Sequence, residues 1–138
     1  MMKRKINYIV IHCTATPKNT TVESIQNHWK NTLKWKSPGY HFLIEANGRV
    51  NKLHPMDLPT NGVRGFNSNS IHISYIGGKY SDDRTKEQNE SIIECIKLAL
   101  EYSKPHIPII QGHRDFPNVA KACPQFNANP EYQHLRCL

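Results

Sequence analysis

No apolar run in this chain approaches the roughly 20 residues that a helix needs to cross a bilayer, so a spanning helix and a membrane partner are not expected. There is no low-complexity tract and no internal repeat, which sets aside linker-like and solenoid architectures. Cysteine is sparse, with Cys13, Cys95, Cys123 and Cys137 forming neither a CxxC pair nor a framework spacing. Reduced thiols are therefore expected at Cys13, Cys95 and Cys137, and Cys95 falls in an apolar helical pattern that suits a core. Acidic residues are outnumbered 11 to 18, leaving a net charge of +7 and implying an anionic partner. Nucleic acid and an anionic cell-wall polymer both qualify. The basic residues are scattered, with no dense run beyond Lys3 to Lys5, so charge alone does not choose.

What remains is 138 residues of ordinary globular composition, enough for one domain over 1–138 with its own core. The opening MMKRKINYIVIHCTAT is basic and then apolar. Its apolar stretch is too short for a signal peptide and is interrupted by Asn7, so it reads as a first strand. The expectation is synthesis in the cytoplasm without an export address.

Ile6 to Ile11 is β-branched and apolar, suited to a buried central strand, with His12 at its carboxyl end where α/β folds place their chemistry. Cys13 to Asn19 reads as a loop. Thr20 and Glu23 are spaced for a capping box, and Val22, Ile25, Trp29 and Leu33 then share one helical face. His28, beside that face, reads as a surface residue. A hairpin follows, with strands Tyr40–Glu45 and Arg49–Leu53 around a turn at Asn47 and Gly48. His41 then faces opposite to Tyr40 and reads as a structural histidine or one behind the site. Residues 54–69, rich in Pro, Gly and Asn, are long enough to line a cleft. Ile71 to Ile76 forms another strand, with His72, Ser74 and Ile76 on one face and Ile71, Ile73 and Tyr75 on the other. Gly77 and Gly78 end it. Thr85 and Gln88 cap a second helix running to about Tyr102, with Ile92, Ile93, Ile96, Ala99 and Leu100 as its stripe. Ile107 to Ile110 reads as a short buried strand, and the tail from Asn127 as one or two helical turns. Interleaved strands and helices imply an α/β single domain with a central mixed β-sheet flanked by helices.

The chemistry concentrates in GHRDFPNVAKACP, residues 112–124. Pro117 and Pro124 break regular structure there, so the segment is expected to be a loop that holds side chains in place. His113 and Cys123 offer an imidazole and a thiolate, both good zinc ligands, and His12 is the best candidate for a third. Two His and one Cys leave the fourth tetrahedral position open, as in catalytic rather than structural zinc sites. Taken alone, Lys121 reads as a solvated loop lysine and Tyr40 as a half-buried strand aromatic.

Four segments, IVIHCTAT, GYHFLIEANGRV, GFNSNSIHISYIGG and GHRDFPNVAKACPQF, together resemble the zinc-dependent N-acetylmuramoyl-L-alanine amidases. That group includes the phage lysozyme-type amidases and the peptidoglycan recognition proteins. The resemblance runs through almost the whole chain and implies an amidase-like fold. It also implies that His12, His113 and Cys123 ligate Zn2+, that Tyr40 stands beside the attacking water, and that Lys121 is the active-site lysine of the phage-type enzymes. The implied reaction hydrolyses the amide joining the lactyl group of N-acetylmuramic acid to L-alanine in peptidoglycan. The implied role is that of a phage or prophage endolysin, acting on the wall after release. No HExxH glutamate is present, and Glu45, the nearest carboxylate in sequence, lies past the middle of its strand. Three departures stand out, one of them Ile76 where some relatives have an acidic residue. Asn61, Gly62 and Val63 replace a segment where relatives often carry a His, and His72 stands where a Gly is common. The alternative is a non-catalytic peptidoglycan-binding module, but such members usually lack the Cys that is present here as Cys123. A nucleic-acid-binding protein with structural zinc would want a closed four-ligand site and a clustered basic face, and neither is visible.

Overall fold

A computed structural model describes residues 3–137; the first two residues and Leu138 lie outside the described residues. Five strands form one mixed sheet in the order β3-β2-β4-β1-β5. They are β1 (Tyr8–Cys13), β2 (Phe42–Ile44), β3 (Val50–Lys52), β4 (Ser70–Tyr75) and β5 (Ile109–Gly112). β1 pairs in parallel with both β4 and β5, β4 pairs in parallel with β2, and the hairpin pair β2–β3 is antiparallel. Helix α1 (Val22–Asn27) follows β1, α2 (Lys86–Ser103) follows β4, and α3 (Ala128–Tyr132) closes the chain with a 3-10 turn at Gln133–Cys137.

Alternation along the central strands separates the molecule into two layers. Ile9 and Ile11 of β1 and Ile71, Ile73 and Tyr75 of β4 point to one side. There they meet Ile92, Cys95, Ile96 and Ala99 of α2 in the principal core. At roughly 25 cal/mol per Å2 of apolar surface buried, this layer supplies most of the driving force for folding. α2 is placed by the expected capping box, Thr85 accepting from the Gln88 N–H while the Gln88 side chain accepts from the Thr85 N–H. The amide of Gln88 also donates to the carbonyls of Ile44 and Ile76, tying the helix start to the strand ends. Ile25, Trp29, Leu43 and Ile76 form a smaller cluster on the opposite side, and Val10, Val63 and Phe116 form a third.

Several local expectations are corrected. The first helix is capped by Thr21, not Thr20, because it is Thr21 that is extended and accepts from the Ser24 N–H. Leu33 is 42% exposed and does not continue the Ile25–Trp29 face. A π-helical turn over His28–Thr32 adds residues per turn, so the position four beyond Trp29 rotates away from the core. His28 is exposed, as expected. The hairpin strands are shorter than expected, and Tyr40 precedes β2 rather than opening it. β1 runs to Cys13, so His12 lies within the strand and not just after it. The last strand starts at Ile109 and occupies the sheet edge. Ile107 and Ile109 are 61% and 43% exposed, and only Ile110 reaches the core. Among the described residues no helix is long and apolar enough to cross a membrane.

Candidate metal centre

The carboxyl end of β1 delivers His12 to the face opposite α2, where it is 1% exposed. His113 opens a 3-10 turn, His113–Asp115, directly after β5, so the expected loop is ordered at its start. That turn is held by the Asp115 carboxylate, which accepts from the Gly112 N–H at 2.8 Å. The rest of the segment folds back through the Arg114 N–H, which donates to the Cys123 carbonyl at 2.9 Å. This return brings Cys123 beneath His12. The ligand atoms of His12, His113 and Cys123 lie within 4.8 Å of one another. Cys123 Sγ is 3.9 Å from His12 Nδ1, and the His12 and His113 rings are 4.8 Å apart.

Zinc bound tetrahedrally at about 2.0–2.3 Å separates its ligand atoms by roughly 3.3–3.6 Å, so this trio needs only a small contraction. Two imidazoles and a thiol are a donor set that fits zinc, and they leave one coordination position open. The protonation states agree. His12 is held well below its ordinary pKa, by burial first and then by His72, His113 and Lys121. His113 is lowered to about 4 by burial and then by the Lys121 charge. Both are neutral near pH 7 and present lone pairs. The Cys123 thiol is pushed well up, by its hydrogen-bonded neighbour Cys13 and then by burial. A divalent cation reverses that balance, since a coordinating thiol is deprotonated outright. The Cys13 N–H already donates to Cys123 Sγ at 3.1 Å, which favours the thiolate. Cys13 is thus no bystander: it lines the same cavity as Cys123, a neighbourhood that spacing in the sequence could not reveal.

The trio forms the floor of a cavity of about 160 Å3 also lined by Tyr40, Trp29, Trp35 and Lys121. Tyr40 packs its ring 4.9 Å from that of His12, and its hydroxyl donates to the Cys13 carbonyl at 3.4 Å. Burial, then the Cys123 charge, raises its pKa, so it remains a phenol. Lys121 is exposed, and its charge is felt by both His12 and His113. Among the described residues no carboxylate lines the cavity. Glu45 belongs to the hairpin, where it accepts from the Asn51 amide at 2.9 Å and pairs with Arg49. A second cavity of about 580 Å3 continues past His113 and Lys121 along Arg64, Phe66 and Val119. The irregular stretch 54–69 contributes Asn61 and Gly62 to both cavities, as its length and composition suggested.

Two buried histidines lie behind His12. His72 Nδ1 is 2.8 Å from His12 Nε2, and His72 Nε2 is 3.0 Å from the Asn67 side-chain oxygen. His41 stacks on His72 at 6.0 Å and its Nδ1 accepts from the His72 N–H, matching its expected place behind the site. Burial, reinforced by His41, His113 and Arg4, keeps His72 neutral. No spacing along the sequence pairs His72 with His12, since the two lie 60 positions apart on neighbouring strands.

A family model described as N-acetylmuramoyl-L-alanine amidase matches residues 2–126. The chain is 27% identical over 130 residues to an endolysin of Enterobacteria phage K11, covering 91% of this chain and 84% of that protein. It is 29% identical over 126 residues to an endolysin of Escherichia phage T7, covering 86% and 80%. Among solved structures, the N-acetylmuramoyl-L-alanine amidase LysC from Clostridium intestinale superposes with a TM-score of 0.79 at 22% identity, covering 97% of this chain and 86% of that one. That last likeness is one of fold.

Proposed function

This chain belongs to the N-acetylmuramoyl-L-alanine amidase family, and from that premise we propose that it is a zinc-dependent amidase acting as a single catalytic domain. Its substrate on this reading is the peptidoglycan amide between the lactyl group of N-acetylmuramic acid and L-alanine. The observation that carries the reading is the convergence of two neutral imidazoles and a thiol at the floor of a cleft. Similarity to phage endolysins supports a lytic role of phage or prophage origin.

His12, His113 and Cys123 would hold the ion. When bound, zinc supplies a Lewis acid for the amide carbonyl and a means of making water nucleophilic near neutral pH. The protein's own groups do the rest. Lys121, at the cavity mouth, presents a point charge to the oxyanion that develops at the carbonyl. Removing such a donor elsewhere costs on the order of 3 kcal/mol. Tyr40 stays protonated, so its hydroxyl orients water or donates to the developing charge and does not act as a base. Trp29 and Trp35, stacked at 6.4 Å, wall the cavity on one side.

The test is mass spectrometry of a muramoyl-tripeptide incubated with the protein, with and without a zinc chelator. Release of tripeptide and N-acetylmuramic acid, lost on chelation and restored by zinc, is the expected result. Intact substrate with folded, zinc-loaded protein would favour a binding module instead.

A further inference from the structure

We propose that His72 is a positioning residue that sets the tautomer and orientation of His12, and that it links this candidate ligand to the wall of the cleft. The inference rests on the zinc reading for its purpose but not for its geometry. A chain of hydrogen bonds leads backward from His12, and the donor at each step follows from the step behind it. The Asn67 side-chain oxygen accepts from two main-chain donors, the Gly62 N–H at 3.1 Å and the Val63 N–H at 2.8 Å. Two N–H groups pointing at one atom identify it as the amide oxygen, not the nitrogen. His72 Nε2 lies 3.0 Å from that same oxygen and must therefore carry a proton. With His72 neutral, its Nδ1 is a lone pair. That lone pair lies 2.8 Å from His12 Nε2, so His12 Nε2 is the protonated nitrogen. His12 Nδ1 is then left bare, and it is the nitrogen that faces Cys123 Sγ. The loop backbone at residues 62 and 63 thus dictates which His12 nitrogen is free to bind a metal.

The ring is also fixed sterically. His41 stacks against it with planes 11° apart, and the His72 N–H is tied to His41 Nδ1. On its other side, a Cβ placed on Gly62 would fall 2.3 Å from His72 Nδ1. Gly62 is thus glycine because the imidazole occupies the space a side chain would need. Gly62 also lines the cavity, so the packing that seats His72 is continuous with the cleft wall. A group that supports a metal-ligating histidine in this way is typically worth 10–100-fold in metal affinity.

The experiment begins with zinc-free parent protein labelled with 15N at histidine. Long-range 15N–1H correlation spectra report the tautomer of His12. The Nε2–H form is expected, and the Nδ1–H form would overturn the proposal without any variant. His72→Phe keeps a ring of similar shape but removes the acceptor. His12 should then lose its single tautomer, and zinc affinity by chelator competition should fall about 10–100-fold. His72→Asn puts an amide oxygen close to the place of Nδ1 and should recover most of that loss, which a role in packing alone would not predict. Gly62→Ala, which pushes on the ring from the cleft side, should reproduce the His72→Phe phenotype in weaker form. Parental zinc affinity and an unchanged His12 spectrum in folded His72→Phe would overturn the assignment. Failure of the parent to bind zinc would sink the zinc reading, while the His12 spectrum would still decide the hydrogen-bond chain.

Discussion

The two faces of the same sheet follow different rules. On the α2 face, Ile9, Ile11, Ile71 and Ile73 meet Ile92, Ile96 and Ala99, and apolar contact is nearly continuous. On the other face the intervening residues of the same strands are Val10, His12, His72 and Ser74, all fully or almost fully buried. Burying His12, His72 and the adjacent His41 without counter-charges is costly unless their N–H groups find acceptors. Here the rings of His12, His41 and His72 are bonded to one another, to the backbone or to Asn67. Apolar contact is therefore concentrated on one face and buried polar groups on the other, separated by one residue along each strand. A functional face built from buried polar groups leans on its apolar opposite for the free energy that holds it together.

Substitutions chosen by face test that division. The largest effect on activity is expected from Cys123→Ser, which should lose or greatly weaken zinc binding and abolish hydrolysis while the fold survives. Turnover at the parental rate, with metal content measured alongside, would remove Cys123 from the site. Ile96→Ala should do the reverse. It opens a cavity in the α2 layer and should cost about 2–5 kcal/mol in chemical denaturation, with kcat per folded molecule unchanged. Lys121→Met should lower kcat/KM by roughly 100-fold, or about 3 kcal/mol, with zinc retained. A drop in zinc content of the same size would mean that Lys121 acts on the ligands and not on the substrate. Tyr40→Phe loses one hydroxyl on the functional face and should slow turnover about tenfold, in keeping with one hydrogen bond. An unchanged rate would return Tyr40 to a packing role.

The smallest effect lies at the edge of the stabilising layer. Arg84 stacks its guanidinium 3.3 Å from the Phe126 centroid and bonds Asp82 and Glu131. Hydrogen bonds from Arg84 hold the Asp82 carboxyl below its usual range. Its contribution is therefore complete above the ordinary carboxylate pKa of about 4 and is lost as pH falls through the lowered value. Because the pair is partly exposed, Asp82→Asn should cost less than about 1 kcal/mol near pH 7 and nothing at strongly acid pH. Urea titrations at the two pH values measure this directly, and a cost that persists in acid would point to shape and not charge.

Legibility in the sequence followed the same division. The α2 layer was readable because period-2 and period-3.6 patterns record which side of each element is apolar, and Thr85 and Gln88 sit at the spacing of a capping box. Errors fell where tertiary contact overrides local pattern. The π turn moved Leu33 out of the face begun by Ile25 and Trp29. The edge position of β5 left Ile109 half exposed although its composition matches a central strand. The donor trio was nameable from residue types and from resemblance to a family, but its members stand up to 111 positions apart.

By itself, then, the amino-acid sequence determined the layered α/β architecture, the apolar face of its sheet, the capped second helix and the family. Those features are written in local periodicity and in short motifs. Only the tertiary structure decided that Cys13 neighbours Cys123, that Tyr40 packs on His12, and that His72 fills the space left by Gly62 to bridge His12 to Asn67. The reason is physical. A hydrogen-bond network takes its donors and acceptors from strands and loops that meet only after the chain has folded, and no spacing along the sequence encodes the angle at which two imidazoles will meet.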